Sequence, residues 1–365
     1  MFKREKTKKI KVGNISIGHS KNVIIQSMCN TKTYDVKNTV KQIKELESVG
    51  CEIIRVSVPD EKSAIAIEKI KNYINIPLVA DIHFDYKLAL MSIDRGIDKI
   101  RINPGNIGDI DNIKKVVDAC KKKHIPIRIG VNSGSLSKRI LAKYDGKVTS
   151  KGLFESAKEN IKLLEKYNFH DIVVSIKSSN VIMAIEAYNL FAKIYDYPLH
   201  IGITEAGTVK SGNIKSSVGL SILLYQGIGD TMRVSLTGDP TQEIWTAKKI
   251  LENLGLRNGG IDIVSCPTCA RTNIDIVNIA EKVEEELSNK KYETMLKKTK
   301  RNNYKVAIMG CAVNGPGEAK EADIGIAGGN GEAVLFKKGV IIKKFKENNI
   351  IKELLVEIKK DLNEK

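Results

Sequence analysis

The chain has 365 residues, of which 42% are hydrophobic and 28% are charged, and its formal net charge is +17. This length exceeds the size at which one hydrophobic core keeps growing, so we expect two domains. No apolar run approaches the roughly 20 residues of a membrane-spanning helix, and no apolar segment follows the basic start to make a signal peptide. The sequence therefore predicts a cytoplasmic protein with no membrane partner.

The positive charge resides mostly in lysine, with 50 lysines against 10 arginines, and the lysines are scattered over predicted helix faces. This scatter favours a solvated lysine surface over a nucleic-acid site, and docking of an acidic protein or an anionic substrate is the other alternative. Because lysine serves wherever any cation suffices, each arginine is informative.

From residue 22 to about 255 the sequence alternates short β-branched apolar runs with longer stretches of helical spacing. The first helical stretch opens with Asp35 as predicted N-cap and closes on Gly50 as predicted C-cap. The predicted strands are residues 22–28, 52–58, 76–83, 97–103, 125–132, 171–177, 198–205 and 229–236. Eight such units predict a closed α/β barrel of the (β/α)8 TIM type, with a doubly wound sheet as the alternative.

The pattern changes near residue 259, where two apolar strands, a Gly-rich hairpin segment and a closing amphipathic helix predict a smaller α+β unit. Residues 254–260 read as the linker. We therefore expect a substrate-binding barrel at residues 1–256 and a metal-containing domain at 257–365.

Four of the ten arginines lie at predicted strand ends, where barrel enzymes carry their active sites. Arginine grips phosphate oxygens with two parallel hydrogen bonds, which lysine cannot do. These arginines and Lys177 together suit a diphosphate better than a single carboxylate. The alternative is that each arginine pairs with a carboxylate on a neighbouring strand. The four arginines are Arg55, Arg101, Arg128 and Arg233.

Two residues at predicted strand ends are candidates for proton transfer. His83 can titrate near neutral pH, and Glu205 can act as a general acid if burial raises its pKa. The alternative for His83 is a structural role. Asn103 and Asn132 are candidate amide ligands, although the first also begins an Asn-Pro-Gly-Asn turn.

Three cysteines near the C-terminal part predict a metal centre. Cys266 and Cys269 form a C-x-x-C pair, a spacing that suits zinc, an iron–sulfur cluster or a redox pair. Cys311 follows at a distance, and no cysteine or histidine comes after it. The carboxylates nearby are Glu318, Glu321 and Asp323; the turn before Glu318 could bring it back toward Cys311.

Two long stretches, "SCPTCARTNID" and "MGCAVNGPGEAKEADIGIAGG", resemble the signature of the 4-hydroxy-3-methylbut-2-en-1-yl diphosphate synthase family. These are iron–sulfur oxidoreductases of the non-mevalonate isoprenoid pathway. The resemblance extends over the whole chain and includes "VADIHFD", "KIRINPGNIG" and "MRVSLTGDP".

The resemblance implies a [4Fe-4S] cluster held by Cys266, Cys269, Cys311 and Glu318. It implies reductive ring opening and dehydration of 2-C-methyl-D-erythritol 2,4-cyclodiphosphate, with Glu318 as the ligand that substrate can replace, Glu205 as the acid and His83 beside the substrate. The implied diphosphate-binding residues are Arg55, Arg101, Asn103, Arg128, Asn132, Lys177, Arg233 and Ser235.

The resemblance also implies partners. No nucleotide-binding fingerprint is recognisable, so the electrons are expected from ferredoxin or flavodoxin, which are small acidic proteins that a basic surface attracts. Family members are homodimers in which the cluster domain of one subunit covers the barrel of the other.

The sequence departs from the family at Cys29, at Ala270 and in the segment "GHSKN", but at no implied ligand. Cys29 is expected to be a small buried residue, and the alternative is a fourth thiol ligand. Two other functions stay open: a zinc-containing nucleic-acid binder, and a pterin- or phosphate-binding barrel enzyme whose cysteines only stabilise the small domain.

Overall fold

The computed structural model describes residues 2–257, 260–299, 301, 303–311 and 319–363. The chain forms two compact units, Met1–Leu256 and Arg257–Lys365. None of the helices in the described part of the chain is long and apolar enough to cross a membrane.

The first unit is a parallel barrel. Its eight strands are hydrogen-bonded in the order β8-β7-β6-β5-β4-β3-β10-β9, and a parallel bridge between Val174 and Leu199 joins β8 to β9. The predicted TIM-type barrel is therefore confirmed. The strands are β3 (Ile24–Met28), β4 (Ile53–Ser57), β5 (Leu78–Asp81), β6 (Lys99–Ile102), β7 (Ile127–Asn132), β8 (Ile172–Lys177), β9 (His200–Ile201) and β10 (Thr231–Met232).

Helices surround the barrel. Asp35 caps the first of them as predicted, because its carboxylate accepts a hydrogen bond from the Asn38 backbone N. That helix ends at Ser48, and Gly50 follows with φ of 109°. The helices are α1 (Val36–Ser48), α2 (Glu61–Lys71), α3 (Tyr86–Asp94), α4 (Ile110–Lys123), α5 (Lys138–Lys143), α6 (Ser150–Lys166), α7 (Val181–Ala192), α8 (Val209–Tyr225) and α9 (Pro240–Asn253).

An N-terminal hairpin that was not predicted packs across the amino-terminal end of the barrel. It consists of β1 (Ile10–Val12) and β2 (Ile15–Ile17), which are too short to show a periodic pattern. Its apolar residues pack against the first inward-facing residues of three barrel strands. Those residues are Ile53, Val79 and Val173.

The segment before the hairpin is tied to the last part of the ring. Arg4 donates from Nε to the Gly229 carbonyl oxygen at 2.6 Å and from Nη2 to the Leu224 carbonyl oxygen at 3.1 Å. Thr7 donates its hydroxyl to the Asp230 carboxylate at 2.6 Å. The N-terminal segment therefore lies against the start of β10.

The last two barrel strands are shorter than predicted. β9 ends at Ile201 and β10 at Met232, so Glu205 and Ser235 lie in the segments that follow, not at the strand ends themselves. The chain nevertheless keeps its direction beyond β10, because the Arg233 backbone N donates to the Ile201 carbonyl oxygen at 3.0 Å.

The second unit is a five-stranded mixed sheet in the order β11-β12-β13-β14-β15. The first three strands are parallel, and the last two form the predicted hairpin around Lys338 and Gly339, whose φ values are positive. The elements are β11 (Ile261–Ser265), α10 (Ile276–Leu287), α11 (Lys290–Lys298), β12 (Tyr304–Met309), β13 (Ile324–Gly328), β14 (Glu332–Lys337), β15 (Val340–Lys346) and α12 (Ile350–Asn363).

Candidate functional site

The side chains that point into the barrel change from apolar to charged along the strands. Residues two apart on a strand share a face. On β4, Ile53 packs against the N-terminal hairpin, and Arg55 is buried two residues further on. Val79 and Asp81 repeat this order on β5. The charged groups therefore lie between an apolar floor and the carboxyl-terminal mouth of the barrel.

Asp81 is the carboxylate at the centre of this charged layer. Its Oδ1 accepts a hydrogen bond from Arg101 Nη1 at 3.0 Å, and its Oδ2 lies 3.6 Å from both Arg55 Nε and His83 Nε2. Burial opposes ionisation, but Arg55, His83 and Arg101 together hold the pKa of Asp81 well below its usual range. Asp81 is thus ionised at neutral pH and fixes two of the predicted arginines.

A second carboxylate, Glu243, holds Arg233 and was missed by the sequence analysis. Arg233 donates from Nη2 to Glu243 Oε1 at 3.1 Å and from Nε to Oε2 at 3.3 Å. Glu243 lies on the buried face of α9 beside Ile244 and Ala247. An acidic residue on the apolar face of an amphipathic helix is the signal that could have found it.

Arg128 has no such carboxylate partner in the described part of the chain. Its side chain is 1% exposed, and neither Nε nor Nη1 has a hydrogen-bond acceptor among the described residues. Burial, with Arg55 and Arg101 nearby, lowers the pKa of Arg128 well below its ordinary value. Because a buried cation without an acceptor costs free energy, this guanidinium suits a site that an anion completes.

Lys99 and His200 place further unpaired nitrogen atoms inside the barrel. Both are fully buried, and neither Lys99 Nζ nor His200 Nε2 has a partner in the described part of the chain. His200 Nδ1 lies 2.8 Å from the Thr231 hydroxyl. Burial, followed by the charge of Arg128, lowers the pKa of both groups well below their ordinary values. Without an anion, the barrel interior therefore favours their neutral forms.

Two glycines on the strands make room for the long cationic side chains. A Cβ atom at Gly202 would lie 2.8 Å from Lys177 Nζ, and one at Gly130 would overlap the Arg101 guanidinium. Any larger residue at these positions would displace the cations, so the glycines are part of the site.

Cations outnumber carboxylates in this layer. In the described barrel, Asp81 and Glu243 are the carboxylates paired with the predicted arginines. The predicted alternative, in which every arginine pairs with a carboxylate, fits three of the four and fails for Arg128. A ligand with several negative charges would neutralise the surplus. The cationic side chains of the layer are Arg55, Arg101, Arg128, Lys177 and Arg233.

Three more predicted ligands lie near the mouth. Asn132 ends β7, and with its amide turned so that the oxygen accepts, that oxygen lies 3.2 Å from Arg101 Nη2. Asn103 follows β6 and its Oδ1 accepts from the Gly105 backbone N at 3.3 Å, which is the turn role considered as its alternative. Ser235 is half-buried in the segment after β10.

The two proton-transfer candidates are both exposed. His83 approaches Asp81 through Nε2, and its ring lies 5.9 Å from that of Phe84. Glu205 has φ of +50°, a left-handed backbone conformation that is uncommon outside glycine and concentrates at functional sites. Glu205 is exposed, and its role as a general acid stays a prediction.

The candidate metal centre of the second unit lies where β11 and β12 end. These parallel strands pair Ser265 with Ile308, so the residues after them meet at one edge of the sheet. The Gly310 backbone N donates to Cys266 Sγ at 3.2 Å, and Cys311 is the next residue. Cys269 follows Cys266 in an exposed turn. The three predicted cysteines therefore lie at the same edge.

The chemistry of these donors fits an iron–sulfur cluster. Hydrogen bonds from the backbone and side chain of Arg271 lower the pKa of the Cys269 thiol, and thiolate is the metal-binding form. Hydrogen bonds to sulfur, such as that from Gly310, tune such clusters. Among the described residues, no three His, Cys, Asp or Glu side chains lie close enough to hold one metal ion. Glu318, the predicted fourth ligand, lies outside the described residues.

The other three cysteines are buried in the barrel. Burial, with Cys51 nearby, raises the pKa of Cys29 to about 12, and burial likewise raises that of Cys51 to about 12. Cys120 is also fully buried, and its pKa is raised for the same reason. These thiols stay protonated at neutral pH and pack as small apolar groups.

Two family models match the chain: GcpE TIM-barrel domain at residues 7–248 and GcpE protein C-terminal domain at residues 262–360. The 4-hydroxy-3-methylbut-2-en-1-yl diphosphate synthase (flavodoxin) of Caldanaerobacter subterraneus subsp. tengcongensis is 58% identical over 99% of both chains. The protein of the same name from Clostridium perfringens is 58% identical over 96% of this chain and 98% of its own.

A solved structure shares the fold alone. The 3-dehydroquinate dehydratase of Geobacillus kaustophilus is 14% identical, with a TM-score of 0.51 over 70% of this chain and 98% of its own. The family models, by contrast, match both units in the order in which they occur. The chain therefore belongs to the GcpE family.

Proposed function

We propose that this chain converts 2-C-methyl-D-erythritol 2,4-cyclodiphosphate to 4-hydroxy-3-methylbut-2-enyl diphosphate. The relatives at 58% identity bear the name of the synthase that forms this product. The observation that carries the proposal is the surplus of cations inside the barrel, where Arg128 has no acceptor for two of its nitrogen atoms. A cyclic diphosphate supplies both the negative charge and the acceptor oxygens.

The barrel holds the diphosphate by charge-assisted hydrogen bonds. Asp81 and Glu243 fix three of the arginines before the substrate arrives, so little side-chain entropy remains to be lost on binding. The proposed ligands are Arg55, Arg101, Arg128, Lys177 and Arg233, with Asn103, Asn132 and Ser235.

The thiols of the second unit hold the redox group. We assign a [4Fe-4S] cluster to Cys266, Cys269, Cys311 and Glu318, and when bound it supplies electrons one at a time. The Glu318 carboxylate would be a harder and weaker ligand to the cluster than the three thiolates, so it would be the most easily exchanged of the four. The reaction consumes two electrons and two protons and releases one water.

Glu205 and His83 serve the proton steps. Glu205 acts as the acid beside the departing oxygen, and its left-handed backbone fixes the direction of the side chain. His83 contacts the substrate while Asp81 holds its ring.

The electron donor is flavodoxin, which the names of the relatives include, with ferredoxin as the alternative. The net charge of +17 attracts such acidic carriers. We also propose that the enzyme is cytoplasmic and works as a homodimer, with the cluster domain of one subunit serving the barrel of the other.

Anaerobic purification with iron, sulfide and zinc analysis tests the cofactor. We expect about four irons per chain and turnover of the cyclic diphosphate with dithionite and methyl viologen. One zinc per chain and no turnover would favour the zinc-containing nucleic-acid binder. A metal-free chain that still binds diphosphate would favour a non-redox barrel enzyme.

Glu318→Ala tests the fourth ligand. Because the carboxylate is proposed to be the exchangeable ligand, we expect turnover to fall at least tenfold while the melting temperature changes little. Glu321→Ala, which removes a nearby carboxylate, is the matched control. Full activity with an intact cluster in Glu318→Ala would contradict the assignment.

A further inference from the structure

Glu243 accepts four hydrogen bonds from three residues, one on β3 and two in the segment after β10. Its Oε2 accepts from Ser27 Oγ at 2.9 Å and from Arg233 Nε at 3.3 Å. Its Oε1 accepts from Arg233 Nη2 and from the Leu236 backbone N, both at 3.1 Å. The side chain is 4% exposed. A carboxylate so buried and so fully bonded has a fixed orientation.

These contacts lie where the barrel closes. Ser27 belongs to β3, the first strand of the ring, and Arg233 follows β10, the last strand, which pairs with β3 through Thr231 and Ile24. Glu243 is therefore bonded to both sides of the closing strand pair.

Glu243 also decides which nitrogen of Arg233 faces the ligand site. It occupies Nε and Nη2, and the remaining nitrogen, Nη1, lies 3.7 Å from Met28 Sδ. Arg55 Nη2 donates to the same sulfur at 2.8 Å. A thioether sulfur is a weak hydrogen-bond acceptor. The two guanidinium groups that approach Met28 Sδ would therefore bind an oxygen anion more strongly than they bind this sulfur.

We propose that Glu243 is a positioning residue that aims Arg233, so that Arg233 and Arg55 converge on one oxygen of the substrate's diphosphate. The inference rests on the proposed function. The pair with Glu243 orders the Arg233 side chain before binding, so its rotamer entropy is not lost when the substrate arrives. Glu243 does not touch the substrate and acts through Arg233.

Glu243→Gln is the test, because it keeps the size of the side chain and removes its charge. The amide offers one acceptor oxygen, and its NH2 group faces an Arg233 N–H. We expect KM to rise about tenfold with kcat within about twofold, since interactions made equally in ground and transition state change KM alone. Isothermal titration should show inorganic diphosphate binding weakened by a similar factor of about ten.

Two further variants distinguish the positioning of Arg233 from a contribution to the stability of the fold. Ser27→Ala removes one bond to Glu243 without touching Arg233, so it should lower the melting temperature and leave KM unchanged. Glu52→Gln alters a carboxylate that accepts from the Ile25 backbone N on the same strand at 2.8 Å, and should behave like Ser27→Ala.

A double-mutant cycle completes the test. In an Arg233→Gln background, Glu243→Gln should add no further loss of diphosphate affinity. Unchanged KM and diphosphate affinity in the single Glu243→Gln variant, or an additive loss in the cycle, would overturn the inference. If the wild-type chain binds diphosphate but does not turn over the cyclic substrate, the proposed function fails, while the diphosphate affinities still decide the role of Glu243.

Discussion

The charged layer of the barrel and the cysteine edge of the second unit differ in how far they are assembled without ligands. In the barrel, Asp81 and Glu243 already hold three arginines through direct ion pairs. At the cysteine edge, Cys266 accepts a hydrogen bond from Gly310, but Cys269 is exposed and no three described His, Cys, Asp or Glu side chains lie close enough to hold one metal ion.

This difference reflects what supplies the free energy in each region. The barrel core is large enough to hold unfavourable charge in place before a ligand neutralises it. The cysteine edge is a set of loops after two strands, and metal–thiolate bonds contribute the free energy that orders such sites. Anion binding should therefore be a property of the barrel, whereas cluster binding should depend on each of Cys266, Cys269 and Cys311.

The largest expected effect is a loss of turnover that leaves anion binding intact. Cys269→Ser removes one of the proposed thiolate ligands, so we expect loss of iron and at least a thousandfold loss of turnover. Inorganic diphosphate affinity, measured by titration calorimetry, should stay within about twofold of wild type. Cys120→Ser, which alters a buried thiol of the barrel, is the control and should retain iron. A large loss of diphosphate affinity in Cys269→Ser would show that the two regions are not independent.

An intermediate effect is expected at Arg128. Arg128→Met removes a buried guanidinium with two unpartnered nitrogen atoms and keeps an unbranched chain of similar length. Inorganic diphosphate should bind about a hundredfold more weakly, while the free energy of unfolding rises by about 1 kcal/mol. Titration calorimetry and urea denaturation measure the two quantities. Arg139→Met, at an exposed helix position, should change neither quantity. A lower free energy of unfolding in Arg128→Met would contradict the inference that the unpartnered guanidinium costs free energy.

The smallest expected effect is on the pH dependence of stability, and it distinguishes two buried carboxylates of the barrel, Asp230 and Asp81. Burial raises the pKa of Asp230 to about 6, although Thr7 and the Leu199 backbone N donate to it. Asp81, inside the cation layer, has its pKa shifted the opposite way. Because the pKa of Asp230 is higher in the folded than in the unfolded state, the contribution of this residue to the free energy of unfolding is largest at low pH. It is lost as pH rises from about 4 to about 6.

Relative to that of wild type, the free energy of unfolding of Asp230→Asn should therefore increase by on the order of 2 kcal/mol between pH 4.5 and pH 7.5. Urea denaturation at the two pH values measures this difference. The free energy of unfolding of Asp81→Asn, relative to that of wild type, should not increase over the same range. If the difference in free energy of unfolding between wild type and Asp230→Asn does not change with pH, burial does not determine the ionisation of this carboxylate.

Local patterns predicted much of the barrel. The β-branched runs located all eight strands, and the spacing of two between charged residues identified which side chains share the inward face. What the sequence could not show were pairings between distant residues. Glu243 stands 10 residues from Arg233 and 216 from Ser27, and no local period links those positions. The missing partner of Arg128 is likewise a property of the packed ring.

The cysteine edge was less predictable from first principles. The C-x-x-C spacing located two thiols, and the pairing of β11 with β12 explains why Cys311 joins them. The turn before Glu318 favoured it over Glu321 and Asp323, and its role as a cluster ligand came from family resemblance and stays a prediction. A ligand that follows a Gly-rich turn has no periodic signal, because loop geometry depends on the metal that it binds.

The anchoring of Arg4 has a consequence for biosynthesis. Its hydrogen-bond acceptors, the carbonyl groups of Leu224 and Gly229, lie 220 and 225 residues further along the chain. The segment that leaves the ribosome first must therefore wait until nearly the whole first unit has been translated. A nascent chain halted before Leu224 leaves the Arg4 guanidinium without either acceptor, so we expect closure of the ring to be a late step of folding.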